Sequence, residues 1–246
     1  MPRFYVKSDQ IIDTQVHITG PDVNHIKNVL RMKPGEEISI CNGQGKDCYC
    51  IINKVTEQEI TAFIKETRDT DAELCAKITL FQGLPKQDKM EMIIQKAVEL
   101  GVSEIVPVMT KRVIVKLDDK KKEEKKLERW QAISESAAKQ SGRGFIPILQ
   151  PVQSFSEALG YAKTMDLGLI PYEKAEGMQN TRRIMQDLKK YTSIGIFIGP
   201  EGGFEEVEIE RAQTAGIQPI TLGRRILRTE TAGLAILSMM VLTLDD

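Results

Sequence analysis

The chain has 246 residues, with 34 basic and 35 acidic side chains and a formal net charge of -1. This balance excludes a bulk polycation, so binding to nucleic acid would need a local basic face. The length allows one large or two modest domains. The amino terminus, MPRFYVKSDQ, has no apolar signal segment and no window approaches a transmembrane span, so we expect a cytoplasmic protein that does not enter a membrane.

The cysteines and histidines predict no metal site. The four cysteines are spaced as neither a metal motif nor a disulfide framework, and the two histidines are too few for a histidine-based site. We therefore expect reduced, structural thiols. The residues concerned are Cys41, Cys48, Cys50, Cys75, His17 and His25.

Residues 1–72 predict a small β-rich domain. Gly20-Pro21 opens one helix, with proline at its first position. Asn42-Gly43 is a strong hairpin signal. Several short strands around one helix indicate a small barrel. Strands are expected at 4–6, 15–18, 37–41, 46–55 and 59–64, and the polar stretch 66–73 is expected to be the interdomain linker.

From residue 73 onward, strands and helices alternate, which predicts a mostly parallel sheet with helices on both faces. Asp88 is the expected N-cap of the first helix, and Ser154 with Glu157 forms a capping-box pattern. The highly charged stretch 111–126 favours a solvated helix start. Strands are expected at 76–81, 104–109, 145–149, 166–170, 194–198 and 217–222, with helices up to Gly101, up to about Gln140, and over 181–190.

The first informative loop is Gly199-Pro200-Glu201-Gly202-Gly203, which follows the apolar run ending at Ile198. Three glycines let a backbone approach a ligand closely, and open α/β sheets bind ligands just past their strands. The spacing matches neither phosphate-binding glycine motif. An acidic, glycine-rich loop suits a positively charged ligand read by backbone groups. The alternative is a tight strand-to-helix turn, in which the glutamates after Phe204 interact favourably with the helix dipole.

A second loop repeats this arrangement, because the strand at 217–222 ends at Gly223 and a basic run follows. Arginine forks suit phosphate or a developing oxyanion. The three arginines are Arg224, Arg225 and Arg228.

The last helix is apolar nearly all round over 232–242. Thr229 is its expected N-cap, with the helix beginning near Glu230. The helix is too short to span a bilayer, so we expect it to be buried in the core or in a dimer interface.

These two loops carry a resemblance to a known family. GPEGGF at 199–204 and LGRRILRTETA at 222–232 resemble the cofactor-loop motifs of the RsmE-type 16S ribosomal RNA uridine-N3 methyltransferases of the SPOUT superfamily. The pair at this separation is specific, whereas each motif alone would be weak. The resemblance extends over nearly the whole chain, through PRFYV, HIKNVLRMKPGEEI, LPKQDKMEMIIQKAVELGV and ERWQAISESAAKQSGR.

The resemblance implies an N-terminal PUA-like RNA-binding β-barrel domain over 1–72 and a SPOUT methyltransferase domain over 73–246. The sequence pattern alone would predict an ordinary doubly wound sheet, since knots are rare. The family instead implies a mostly parallel α/β sheet whose C-terminal segments thread a deep trefoil knot. It also implies a homodimer, and 16S ribosomal RNA in the assembled small ribosomal subunit as the partner.

The cofactor implied by the resemblance is S-adenosylmethionine, with S-adenosylhomocysteine as product and no metal. Its positive sulfonium agrees with the acidic first loop, and its adenine can be read by backbone amides and carbonyls. The residues that match the family's cofactor loops and a third wall are Ile170, Pro171, Gly199, Glu201, Gly202, Leu222, Gly223, Ile226 and Leu227.

The implied reaction is methyl transfer to N3 of a uridine. N3 must lose its proton, which leaves charge on O2 and O4, so the site needs a base and hydrogen-bond donors. Arg225 and Arg228 are candidates for donors or RNA-phosphate anchors. Glu230 or Glu201 is a candidate base or arginine partner, and helix capping is the alternative for Glu230.

For RNA contacts, spacing alone indicates scattered surface charge, and the resemblance singles out Arg3, His25 and Arg31. Arg143 is a further candidate because it lies in the break at 141–144. The predicted RNA-binding residues are Arg3, His25, Arg31, Lys86 and Arg143. The alternative function is a non-catalytic, dimeric RNA-binding protein with a SPOUT-like scaffold and no affinity for S-adenosylmethionine. A nucleotide-dependent oxidoreductase would need GxGxxG near the first strand, and FQGLP at 81–85 does not supply it.

Overall fold

The computed structural model describes residues 1–115, 120–175 and 177–245, and these form two compact units. The first unit comprises Met1–Glu73 together with Ala138–Ile146, and the second comprises the rest. The division after Glu73 lies one residue beyond the expected boundary at 72. The second unit, however, is not continuous, because Ala138–Ile146 groups with the first.

The first unit is a six-stranded sheet in the order β1-β4-β5-β6-β3-β2. The pair β1/β4 is parallel and the other pairs are antiparallel. The predicted helix is present as α1 (Pro21–Asn24), which continues as one π-helical turn over His25–Val29. The strands are β1 (Arg3–Tyr5), β2 (Ile11–Ile12), β3 (Gln15–Thr19), β4 (Glu37–Cys41), β5 (Lys46–Val55) and β6 (Glu59–Asp69).

The predicted linker is partly wrong, because residues 66–69 belong to β6 and pair with the start of β5. The predicted hairpin is present between β4 and β5, where the Asn42 side chain accepts the backbone N–H groups of Gln44 and Lys46. Alternate strand residues point into one core, in which Ile18, Ile38 and Ile60 are at most 1% exposed. This period-two burial is what fixes the register of such strands.

A polar cluster holds the segment Ala138–Ile146 within the first unit. Arg143 is 3% exposed and forms a bidentate pair with Glu73, with nitrogen–oxygen distances of 2.6 and 2.9 Å. Arg3 pairs with Asp47 at 2.8 Å and donates to the backbone carbonyl of Arg143 at 3.2 Å. Removing one partner of such a buried pair leaves an uncompensated charge, so the cluster strongly favours this placement of the segment.

The second unit confirms the predicted parallel sheet. Its order is β10-β8-β7-β12-β11-β13, with β9 also pairing with β8, and every pairing is parallel. The rings of Phe81 and Phe197 stack with centroids 4.4 Å apart on the two central strands. The strands are β7 (Lys77–Gly83), β8 (Glu104–Met109), β9 (Ile148–Leu149), β10 (Gln153–Ser154), β11 (Leu167–Pro171), β12 (Ser193–Ile198) and β13 (Gln218–Ile220).

Among the described residues, six α-helices belong wholly or mainly to the second unit. They are α2 (Lys89–Glu99), α3 (Lys120–Ser141), α4 (Phe155–Ala162), α5 (Met178–Gln186), α6 (Glu206–Thr214) and α7 (Thr229–Leu244). The predicted capping box of α4 is confirmed, with Ser154 and Glu157 bonded to each other's backbone N–H groups. Within the described ranges, no helix is long and apolar enough to span a membrane.

Three local predictions need correction. Asp88 occupies the N-cap position of α2 but makes no side-chain capping bond. The strand expected at 145–149 is reduced to β9, because the N–H groups of Gly144 and Phe145 bond to Glu73 instead of a strand. Residues 111–115 are not helical, and the part of the charged stretch at 116–119 lies outside the described residues.

Candidate functional site

A cavity of about 480 Å³ lies at the carboxyl edge of the parallel sheet. Parallel strands all end at the same edge, so the loops that follow them meet there. The walls are residues 171–173 after β11, residues 198–204 at the end of β12, residues 221–223 and 225–229 after β13, Lys89, Arg112 and Ala232.

The cavity brings together both glycine motifs. Eight of the nine predicted cofactor residues line it: Pro171, Gly199, Glu201, Gly202, Leu222, Gly223, Ile226 and Leu227. The ninth, Ile170, is fully buried in the core behind this wall. Arg225 and Arg228 also line the cavity, whereas Glu230 does not.

The first loop is a tight turn that favours glycine at two positions. The N–H of Gly203 donates to the carbonyl of Pro200 at 2.8 Å, and Gly203 has a φ of +67°. A Cβ on Gly199 would lie 3.0 Å from the Cα of Gly203. The bare backbone therefore forms the cavity wall at this point.

Arg112 lies against the same loop and was missed by the sequence analysis. Its guanidinium donates to the carbonyl of Gly202 at 2.6 Å. A Cβ on Gly202 would come within 3.2 Å of the Arg112 side chain. Arg112 lies in the segment after β8, far from the glycine motif in the chain. No local sequence pattern therefore predicts this contact.

Thr229 lines the cavity, and its hydroxyl connects three elements by hydrogen bonds. Its hydroxyl donates to the carbonyl of Gly199 at 2.6 Å and accepts from the side-chain amide of Gln82 at 2.9 Å. Thr229 and Gln82 are 5% and 0% exposed. The prediction that Thr229 caps α7 is wrong, because Arg228 occupies the N-cap and Thr229 is the first helical residue. The hydroxyl instead joins the ends of β7 and β12 to the start of α7.

The second loop leaves open space next to its backbone. Gly223 has a φ of +110°, and a Cβ there would have no atom within 4 Å. Its N–H donates to the hydroxyl of Thr221 at 3.2 Å, and the carbonyl of Thr221 accepts from Thr181 at 3.0 Å. Ile226 follows and is 84% exposed.

The charges of the first loop are compensated, which changes the expectation of an acidic surface. Glu201 accepts the backbone N–H of Lys86 at 3.1 Å and pairs with the Lys89 ammonium at 3.1 Å. Burial opposes ionisation of Glu201, but the backbone hydrogen bonds and Lys89 outweigh it and lower the pKa of Glu201. Glu208 closes a capping box with Glu205 on α6, as the helix-dipole alternative predicted.

The cavity wall carries more positive than negative side chains. The cations are Lys89, Arg112, Arg225 and Arg228, and the carboxylates are Glu173 and Glu201. Glu230 faces Lys89, with 3.5 Å between Nζ and Oε2, and its Oε2 atom is buried without a hydrogen-bond partner among the described residues. In the part of the chain described, no group of three or more metal-ligating side chains is present.

The predicted RNA-binding residues differ in their exposure. His25 and Arg31 are exposed on the first unit, and Lys86 is exposed on the second. Arg143 is buried in its pair with Glu73, and Arg3 is engaged by Asp47, so the structure gives both a structural role.

Comparison with known proteins identifies the family. The RNA methyltransferase domain model matches residues 72–241, and the RNA methyltransferase PUA domain model matches residues 18–65. Ribosomal RNA small subunit methyltransferase E of Bacillus subtilis is 39% identical, covering 97% of this chain and 95% of that protein. The protein of the same name from Mesomycoplasma hyopneumoniae is 36% identical, covering 98% and 99%. This chain belongs to the ribosomal RNA small subunit methyltransferase E family.

The fold is also that of the methyltransferase E family. The crystal structure of a ribosomal RNA small subunit methyltransferase E from Neisseria gonorrhoeae, bound to S-adenosyl methionine, has a TM-score of 0.82 and 36% identity. The alignment covers 98% of this chain and 97% of that one. The predicted SPOUT-type α/β fold with an N-terminal β-rich PUA unit is thereby confirmed.

Thr229→Val is expected to lower the free energy of unfolding by about 2 kcal/mol, because it leaves the carbonyl of Gly199 and one N–H of the buried Gln82 amide without their partner. Thr229→Ser keeps the hydroxyl and is expected to cost less. Urea unfolding followed by circular dichroism measures both variants. A loss in Thr229→Ser with none in Thr229→Val would show that the methyl group of Thr229, and not its hydroxyl, stabilises the junction.

Proposed function

We propose that this protein transfers a methyl group from S-adenosylmethionine to N3 of a uridine in 16S ribosomal RNA. The observation that carries the proposal is the single cavity formed by both family motifs at the carboxyl edge of the sheet. Family membership supports methylation of small-subunit ribosomal RNA. The relative solved with S-adenosyl methionine supports the cofactor.

The cavity fits this cofactor in size and in chemistry. Its volume lies within the range of about 300–1,000 Å³ that is usual for small-molecule sites. The open space beside Gly223 and the bare backbone of Gly199 and Gly203 leave room for a ligand that is read by peptide groups. We propose that the loops at 199–203 and 222–227, with Pro171, hold the cofactor, which supplies an activated methyl group.

The arginine side chains on the cavity wall suit activation of the uridine, the acceptor in the reaction. Deprotonation of uridine N3 places negative charge on O2 and O4, and arginine donors stabilise such charge best where water is excluded. We propose that Arg225 and Arg228, which line the cavity, act there. Glu230 does not line the cavity and pairs with Lys89, so we assign it no proton transfer.

For the RNA, we propose that His25, Arg31 and Lys86 contact phosphates, because each is exposed. Basic side chains that contact phosphates position an RNA without reading its sequence. We further propose that the substrate is the assembled small subunit in the cytoplasm. A trefoil knot formed by the segments after β11 would bring the loops after β12 and β13 to the same cavity.

We also propose a homodimer. The exposed side of α7 is largely apolar, with Leu242 88% exposed and Leu234, Ala235 and Val241 partly exposed. An exposed apolar face of this kind marks interaction sites in soluble proteins. Ile226, which lies on the cavity wall, is 84% exposed, so a second copy that covered it would also complete the site.

The purified protein is expected to label 3-methyluridine. It would be incubated with methyl-labelled S-adenosylmethionine and small subunits from a strain that lacks the endogenous enzyme, and the digested RNA would be separated by chromatography. Label in another nucleoside would keep the cofactor and reject the N3 assignment. No label together with no cofactor binding would favour a non-catalytic RNA-binding protein.

Arg225→Met and Arg228→Met are each expected to lower kcat by about 10²-fold, because each removes a donor from the charge that develops on the uracil. Arg224→Met is the matched control, since Arg224 is exposed but is not on the cavity wall. Steady-state kinetics with small subunits measures all three. A raised KM with unchanged kcat would instead identify the two arginines as phosphate anchors.

Light scattering after size exclusion is expected to give twice the chain mass of 27.6 kDa. Leu242→Glu is expected to shift the protein to monomer, because it places a charge in the apolar face of α7. Ser156→Glu, which adds the same charge at an exposed position on α4, is the control. A wild-type monomer at micromolar concentration would contradict the proposal.

A further inference from the structure

Lys89 is the first residue of α2, and its ammonium lies between two carboxylates from other elements. Its Nζ is 3.1 Å from Oε1 of Glu201 and 3.5 Å from Oε2 of Glu230. The three side chains are only 28%, 27% and 14% exposed. In the described part of the chain, one ammonium group therefore pairs with two carboxylates.

Each carboxylate belongs to a wall of the cavity or adjoins one. Glu201 lies in the first glycine loop, and the backbone N–H of Lys86 also bonds to it. Glu230 is the second residue of α7 and follows Arg228 and Thr229, which line the cavity. The ammonium therefore joins the glycine loop to α2 and to the start of α7.

The arrangement depends on the positive charge. Both carboxylates contact one nitrogen and so lie close together, and without it two like charges would face each other. The Oε2 atom of Glu230 has no hydrogen bond in the described part of the chain that would replace the ion pair. Loss of the charge is therefore expected to push the glycine loop away from α7.

We infer that Lys89 is a positioning residue for the cofactor cavity, holding the loop at Glu201 and the start of α7 at Glu230. This inference rests on the proposed binding of S-adenosylmethionine in that cavity. The hydrogen bond between Lys89 and Glu201 raises the pKa of Lys89, so the ammonium stays protonated and does not accept the uridine proton. Although its side chain lines the cavity, Lys89 is thus assigned to hold the two glutamates and not to take a proton from the substrate.

Calorimetric titration with S-adenosylmethionine, without RNA, tests the inference. Lys89→Met is expected to raise the Kd about tenfold at pH 7.5, and Lys89→Arg, which keeps the charge, to stay within about threefold of wild type. Lys96→Met is the matched control, because it removes a lysine–glutamate pair from the same helix, formed with Glu99 at 2.8 Å. An unchanged Kd in Lys89→Met would overturn the inference.

The pH dependence separates a charge effect from simple packing. In Lys89→Met, the two facing carboxylates repel each other only while both are ionised, so protonation of one removes the repulsion. The ratio of the Kd of Lys89→Met to the Kd of wild type is therefore expected to decrease as the pH falls from 7.5 to 5.5. A ratio that does not change with pH would overturn the role of the charge.

Two further results keep the test decisive. If Lys89→Met does not fold, Glu201→Gln serves in its place and is expected to raise the Kd about threefold, because the neutral amide binds the ammonium less tightly. An unchanged Kd in that variant would equally overturn the inference. Wild-type protein that does not bind the cofactor would reject the proposed function and this inference together, whereas binding by wild type isolates the role of Lys89.

Discussion

The parallel pairing of β12 between β7 and β11 is the constraint on which the site depends. Because these strands run in one direction, the loops that follow them lie at the same edge of the sheet. The backbone of glycine residues forms part of the cavity wall there. The hydroxyl of Thr229 then fixes the distances, since it bonds to both Gly199 and Gln82. A helix start, a loop and a strand end are thus held by one buried oxygen.

The electrostatics of the cavity follow from this geometry. Glu201 makes the first motif look acidic, yet its charge is balanced by Lys89 and by a backbone N–H. The remaining wall carries mainly cations, which suits the proposed reaction, in which a uridine gains negative charge. Recognition of the cofactor would then depend on peptide groups, and the glycines are where those groups are exposed.

In the first unit, two of the arginines that the sequence predicts to bind RNA have intramolecular partners. Arg3 and Arg143 look like RNA ligands in the sequence, but in the structure they belong to one cluster with Asp47 and Glu73. That cluster secures the segment Ala138–Ile146, whose backbone groups also bond to Glu73. Contacts with RNA are therefore better sought at exposed cations, such as Arg31.

The sequence by itself determined most strands, most helices and both cavity loops, because period-two and period-3.6 burial and glycine-rich turns are local signals. Only the tertiary structure decided the contacts of Thr229 with Gln82, Lys89 with Glu201 and Arg112 with Gly202, since the partners are 90 or more positions apart in the chain. The same holds for Ala138–Ile146, whose place depends on Glu73. Side-chain charge is visible in a sequence, but the group that neutralises it is not.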